Sequence, residues 1–560
     1  MPYEKYYTIP MYINRKRNIL FFSLVSIFAI LFSSWLMFHT FSYDGKTSSM
    51  LIAPKAWSDF GAHIPLIRSF SLGNNWPPEY PLFPGVPIRY HFLFYFLVGM
   101  LEKAGARIDW ALNIPSIIGL AGLLIGIAII AQKLFHDKRI TVLSLLFFLF
   151  NGSLSFLRFF QLHPLSLASV KDIITNNAFP SFAPWGQGEI SAFWNLNIYT
   201  NQRHLAFAFA LAILFIGILL YIEKMPLKKQ IFFLIPQVFI LAIMPYFHQP
   251  ILAILAVFIS CYFLLFPKLR VILLLIGAIG TMYVLPQLLP FLSGPNAFHW
   301  NPRYLMSPPL TPIHILWYWT QNLGFHAFLI PIGWSIAPTR IKKIMSPLFL
   351  LFLIPNLFQF SVEMAANHKF FNFYLILGNL LTAYVLIKIV DAIKILRFFI
   401  RQFVNLLICL CICLLTLSGI IDFFPVYNDG YMTLQDIPAN ETATWIRDNT
   451  PPDAVFLNSS YFFHPASLAG RKIFQGWPYF TWSAGYTENR SQIMKTIYES
   501  HSPDIFCPLL RQKNISFLTA EDTHNDPNLP KISSSYFGSV AVPIFTSGNI
   551  SIFSTPSLCN

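Results

Sequence analysis

The sequence predicts an all-α polytopic membrane protein that carries a small α/β domain at its C-terminal end. Three observations lead there. Hydrophobic residues fill 55% of the 560 positions and charged residues 11%, against roughly 45–50% and about 25% in an average soluble protein. Eleven apolar runs come close to or exceed the length of about 20 residues that crosses a bilayer. The composition then changes abruptly at Pro425. The formal net charge of +14 divides accordingly, +17 over residues 1–424 and −3 over residues 425–560, so the basic excess belongs to the hydrophobic part. Nucleic-acid binding does not explain such a distribution. No long basic stripe with interleaved aromatics stands in a polar segment, whereas Lys and Arg at the joints between apolar runs are what orients a membrane protein.

The apolar runs are Asn18–Phe41, Ala111–Leu134, Ile140–Phe160, His204–Ile222, Ile231–Phe247, Ile251–Phe266, Val271–Leu292, Ile313–Ala337, Pro347–Val362, Phe373–Val390 and Phe403–Phe424. The first is too long for a signal-peptide core, so Arg15, Lys16 and Arg17 hold its start in the cytoplasm as an uncleaved anchor. Basic clusters such as Lys133/Lys138/Arg139, Lys224/Lys228/Lys229 and Arg340/Lys342/Lys343 fall at every second joint after residue 111. Placing them inside puts residues 42–89, 161–203, 293–312, 361–372 and the whole 425–560 tail outside. Tyr90–Leu101 is apolar but short and upsets the parity if it crosses; it reads as a partial or re-entrant element. In the tail, Glu441–Asp448 reads as a helix and Ala454–Leu457 and Ile515–Leu518 as strands between Pro, Gly and Ser punctuation. Cys507 and Cys559 are the two cysteines of the tail and can pair if it lies in an oxidising compartment.

Carboxylates are scarce in the membrane part, which lets each be weighed alone. Asp59 stands four residues before His63 in an amphipathic stretch, Trp57 to Arg68, so on a helix the two share a face. The bland alternative is a solvated interfacial helix whose Asp pairs with a nearby cation. A second cluster, Asn195 to His204, places Arg203 and His204 at the outer mouth of a span, where an arginine among amides can hold a phosphate or simply snorkel. His248, and the group Glu363, Asn367, His368 and Lys369, fall at outer mouths too, and Glu189 lies in the outer segment 161–203. Ionisable residues at membrane depth are expensive and mark sites. No Cys/His pair has zinc-site spacing in a polar segment, and no glycine-rich phosphate loop is present. No cofactor is expected, and no motif supports a divalent metal.

The Asp59 loop, the proline-rich stretch leading to Tyr90-His91-Phe92, the Gln202-Arg203-His204 mouth and the polar tail together resemble the GT-C superfamily of integral-membrane glycosyltransferases. The nearest likeness is to bacterial members related to protein mannosyltransferases and aminoarabinose transferases. Tail phrases from Trp445 to Ala454 and Ala469 to Lys472 are similar to those following the last span in such relatives. The resemblance implies a polyprenyl-phosphate-linked sugar as donor, an extracytoplasmic glycan, lipid or protein as acceptor, and a bacterial plasma membrane as location. It implies the acidic residue of the first outer loop, here Asp59, as catalytic base with His63 assisting, and inversion at the anomeric carbon. Arg203 and Lys369 would bind the donor phosphate, and His204, His248, Glu189, His368, Arg303 and Arg471 would contact substrate. The paired acidic residues frequent in that superfamily are missing, since Ser58-Asp59 has one carboxylate. A lipid-linked sugar transporter or flippase, and a non-catalytic scaffold, remain as alternatives.

Overall fold

The computed structural model of the chain describes residues 11–181, 190–292, 298–522 and 527–560. Among these, seven helices are long and apolar enough to cross a membrane: Arg17–Thr40, Ile108–Phe135, Arg203–Ile222, Leu227–Phe247, Pro267–Leu289, Met364–Ile395 and Phe398–Tyr427. The protein is an integral membrane protein. Met364–Ile395 is the most enclosed, with 83% of its central window buried, whereas Arg17–Thr40 lies at the rim with 17%. Rim helices expose Leu31, Leu406 and Leu410, a surface that lipid covers and water would not.

The expected eleven crossings resolve into these seven helices and four shorter or broken ones. Ile140–Phe160 divides into Lys138–Leu149 and Phe156–Leu162. Between them Gly152 passes so close to the last span that a Cβ would lie 2.2 Å from the Leu415 carbonyl oxygen. Ile313–Ala337 splits into Pro312–Leu323 and His326–Ile336 at Gly324, whose φ of +55° suits glycine. Gln249–Leu265 has 17 residues. Pro347–Leu357 stops where Phe358–Gln359 turns extended and pairs with His299–Trp300.

The first helix, α1 (Met11–Thr40), runs straight into a hairpin of β1 (Phe41–Asp44) and β2 (Ser49–Ile52). Then come α2 (Trp57–Ser71), α3 (Leu93–Lys103) and α4 (Ile108–Phe135). The 11 residues of α3 span about 17 Å, short of the ~30 Å hydrocarbon core, as expected of a partial element. The α2 helix does not fit the bland alternative. It is not a solvated surface helix, because every residue from Phe60 to Ser71 is buried. Below it lies α3, close enough that a Cβ on Gly99 would meet the Ile67 carbonyl at 2.8 Å. The tail covers its other side.

The tail holds a five-stranded sheet in the order Phe545–Ser547, Ile550–Ser554, Phe517–Glu521, Val455–Leu457, Lys472–Ile473. The first two pairings are antiparallel and the last two parallel. The helix Glu441–Asn449 begins at Asn440, whose side chain accepts from the Ala443 amide at 2.9 Å. Leu457, Met494, Ile497, Phe506, Leu518, Phe537 and Phe553 form a separate core. Cys507 and Cys559 are joined in a disulfide.

Tail and membrane part interlock. Strand Met432–Gln435 pairs antiparallel with β2, and Ile473 and Gly476 donate backbone bonds to Pro81 and Leu82. Gly73 meets Gly470 so tightly that a Cβ would lie 2.2 Å from its carbonyl oxygen. Arg68 of α2 is 2.7 Å from Asp436 of the tail and 3.2 Å from Glu102 of α3, with all three side chains at most 10% exposed.

Removing one partner from a buried ionic cluster leaves uncompensated charge and costs about 3–5 kcal/mol. Arg68→Ala strands two carboxylates, so the melting temperature of the detergent-purified protein should fall sharply. Asp436→Asn, which leaves the Arg68–Glu102 pair, should lower it less. An Arg68→Ala protein that melts like the wild type would show that the cluster does not hold the tail.

Candidate active site

A cavity of about 390 Å³ opens where α2, the 88–92 segment, the His248 joint, residues 360–370 and tail residues 479–485 meet. Asp59, His63, Arg89, His248, Glu363 and Lys369 contribute its chemistry. Four of the residues expected from the sequence therefore converge: Asp59 and His63 from successive turns of α2, His248 from between two apolar helices, and Lys369 from the first turn of a span. Arg89 and Tyr479 join the lining without having been singled out, and Tyr90 and His91, noted only within the Tyr90-His91-Phe92 motif, join it too. Arg89 lies in a loop with no periodicity, and Tyr479 in the tail, so no local pattern marks either.

The cavity's charges are incompletely neutralised. Asp59 and Lys369 close no ion pair and no hydrogen bond among the described residues. Arg89 spends one guanidinium nitrogen on the Gly485 carbonyl at 2.8 Å, and Glu363 accepts from the Tyr479 hydroxyl. Burial pushes Asp59 up to about 6; the Lys369 ammonium opposes the rise and the Glu363 carboxylate adds to it. Burial, with Arg203 nearby, holds His63 down at about 3, so the imidazole is neutral at pH 7. His63 stacks on Tyr95 with ring centroids 4.5 Å apart.

The other expected residues lie elsewhere. Arg203 does not line the cavity: it is fully buried, and donates to Thr200 O at 2.8 Å, Thr40 Oγ1 at 2.8 Å and Asn113 Oδ1 at 3.1 Å. Its guanidinium joins α1, α4 and the short helix Asn197–Asn201 that precedes its own, with Phe60 of α2 beneath it. His204 sits behind the wall, its ring beside those of His91 and His248. His368 is buried against Phe193 and bonded to Asn372. Arg471 ties tail backbone together, donating to the carbonyls of Ala469, Arg447 and Thr450 at 2.7–2.9 Å. Arg303 is exposed, away from the cavity. Glu189 lies outside the described residues.

No protein-family model and no curated protein matches the chain. Among solved structures it is similar to ArnT from Cupriavidus metallidurans in the apo state, at 9% identity and TM-score 0.47, over 97% of this chain and 98% of that one. The same protein bound to undecaprenyl phosphate gives 9% identity and TM-score 0.47, over 96% and 99%. The Archaeoglobus fulgidus oligosaccharyltransferase tethered with an acceptor peptide containing the NVT sequon gives 12% and 0.40, over 89% and 69%.

A carboxyl whose folded-state pKa exceeds its unfolded value binds its proton more tightly when folded. Stability is then lost as pH rises from about 3.8 to about 6. Asp59→Asn removes this penalty. At pH 7.5 the variant should be more stable than the wild type by about 1–3 kcal/mol, and the difference should vanish near pH 3.8. Thermal melting across that range reads the result; a variant destabilised at pH 7.5 would mean that the carboxylate is compensated.

Proposed function

We propose that the chain is a membrane glycosyltransferase that moves a sugar from a polyprenyl-phosphate donor to an extracytoplasmic acceptor, with Asp59 as general base. The observation that carries this reading is an unpaired Asp59 carboxylate sharing one cavity with the cations Lys369 and Arg89. A polyprenyl carrier is confined to the bilayer, so its phosphate sits at the interface, and a transferase must bring base and cations to that depth. In this reading Asp59 takes the acceptor hydroxyl proton while the acceptor oxygen bonds to the anomeric carbon. The bond from that carbon to the phosphate oxygen breaks, and the electron pair leaves on phosphate, whose charge Lys369 and Arg89 meet. A single displacement inverts the anomeric centre, and a phosphate departs without the second carboxylate that glycoside hydrolysis needs. Neutral His63 positions the acceptor. The Cys507–Cys559 disulfide supports an extracytoplasmic tail, since such bonds persist in oxidising compartments; the alternating basic joints agree. Phosphate binding passes from Arg203 to Arg89 in this reading, because the Arg203 donors are engaged within the protein.

Transfer of labelled sugar from a polyprenyl-phosphate donor by purified protein tests the proposal. Asp59→Asn should lose roughly 10²–10⁴-fold in turnover with donor affinity near wild type, and wild-type kcat/KM should fall tenfold per unit below about pH 6. Lys369→Ala should weaken donor binding by about 2–5 kcal/mol. Wild-type turnover in Asp59→Asn would overturn the assignment of the base.

A further inference from the structure

His91, His204 and His248 come from three separate segments: the stretch before α3, the first turn of the Arg203–Ile222 helix, and the joint between the Leu227–Phe247 and Gln249–Leu265 helices. One ring nitrogen from each lies within 4.8 Å of the other two. The rings are 4.3 Å apart at their centroids for His91 and His204, and 5.0 Å for each of these with His248. His204 and His248 are fully buried. Each of the three thus brings one ring nitrogen, and the lone pair that a neutral imidazole carries, within reach of a common point.

Hydrogen bonding leaves those lone pairs unanswered. The Nε2 atoms of His91 and His204 and both ring nitrogens of His248 are buried without a partner, a costly arrangement for polar atoms. The Nδ1 of His204, by contrast, is engaged by the Tyr95 hydroxyl at 2.8 Å, and Tyr95 is hydrogen-bonded to Tyr90. With Nδ1–H donating to the Tyr95 oxygen and the Tyr95 hydroxyl donating in turn to Tyr90, the His204 Nε2 is left as an acceptor on the side of the cluster. A ligating histidine characteristically donates its second ring N–H in this way, which fixes its tautomer and orientation.

We propose that His91, His204 and His248 form a binding site for a divalent transition-metal ion of the zinc class, with its fourth coordination position facing the Asp59 cavity. The donor set selects the ion. Three neutral imidazole nitrogens suit Zn²⁺ or Co²⁺, whereas Mg²⁺ and Ca²⁺ demand oxygen ligands. Tetrahedral coordination at about 2.05 Å places ligand nitrogens ~3.3 Å apart, so the rings close by at most about 1.5 Å from their present separation, within reach of side-chain rotation. His91 and His248 line the cavity and His204 closes the site from behind, which leaves the remaining position open on the cavity side. Asp59, Glu363, Lys369 and Arg89 all face the same volume, and with three neutral ligands on the dication the fourth position suits an anionic oxygen, from hydroxide, a phosphate or one of these carboxylates. Occupancy of the three-histidine cluster does not depend on the proposed transfer reaction.

The full chain, purified through a tag without histidine and equilibrated with zinc at micromolar free concentration, should retain about one zinc per chain by elemental analysis. Loaded with Co²⁺, it should show the intense visible absorption of a tetrahedral site. His248→Ala and His204→Ala should each lose both signals, and His314→Gln, an exposed control, should keep them. Zinc should raise the melting temperature of the wild type and not of His248→Ala, a comparison made against each protein's metal-free melt so that a folding defect is recognised; should His248→Ala fail to fold, His91→Asn takes its place. Absence of retained zinc in the wild type, retention undiminished in the His204 and His248 variants, or a preference for Mg²⁺ over Zn²⁺ would each overturn the site. None of these measurements uses glycosyl transfer, so a failed transfer assay and a failed metal site are told apart.

Discussion

The Arg68 guanidinium is the fastening on which the outer half of the molecule depends. It lies on the same helix as Asp59 and His63, and it meets one carboxylate from α3 and another from the tail. Neither Glu102 nor Asp436 could be buried there unpaired, and Arg68 could not be buried without them. Three pieces of chain far apart in sequence are thus held to one relative position by a charge requirement that apolar packing alone would not impose. The carboxylate of Asp59 is aimed by that positioning, more than two turns along a helix that α3 supports from below and the tail encloses from above.

Beyond Arg68, whose partners are carboxylates, the inward-facing cations differ in what they bond, and the difference says what each is for. Arg203, Arg471 and Arg490 are surrounded by carbonyl and side-chain oxygens of the chain itself; Arg490, for instance, donates to Phe474 O and Pro84 O at 3.0 and 2.8 Å. Such arginines convert unsatisfied backbone acceptors into rigid joints. Lys369 makes no such bond and Arg89 makes only part of its complement, and both face the cavity. A lysine in the first turn of an apolar helix, with no partner from the protein, has capacity for a ligand.

The membrane architecture was legible because long apolar runs can scarcely be anything else, and the tail because its polarity changes at Pro425. What could not be read was where runs break. Gly152, in the connection after Leu149, and Gly324, at the end of Pro312–Leu323, mark breaks set by close approach and backbone sign that hydropathy does not register. The tail strands Phe545–Ser547 and Ile550–Ser554 were not anticipated, since each is short and the turn between them rests on Gly548 at φ +60°. At the site, the spacing of Asp59 and His63 on one helix was visible, and both line the cavity. Arg203 misled because a cation at a span mouth looks the same in sequence whether it faces substrate or is saturated by Thr40, Asn113 and Thr200. His91 was passed over because it has no spacing relation to His204 or His248; only the fold brings them together.

The strand Met432–Gln435 completes a sheet begun by residues 41–52, and that closure sets an order of events during synthesis. The amino-terminal hairpin leaves the ribosome with β2 as an open edge, and it stays open until nearly four hundred further residues have been made and the last span is in place. The counter-charge for Arg68 arrives with the same segment, as does the Tyr479 end of the cavity roof slightly later. A chain halted before residue 432 would therefore carry an unpaired strand edge, a half-neutralised arginine and no closed cavity. Synthesis through Gly485 is built into the pocket as a condition of its existence, and products terminated before it are marked by exposed edges of the sort that quality-control proteases and chaperones engage.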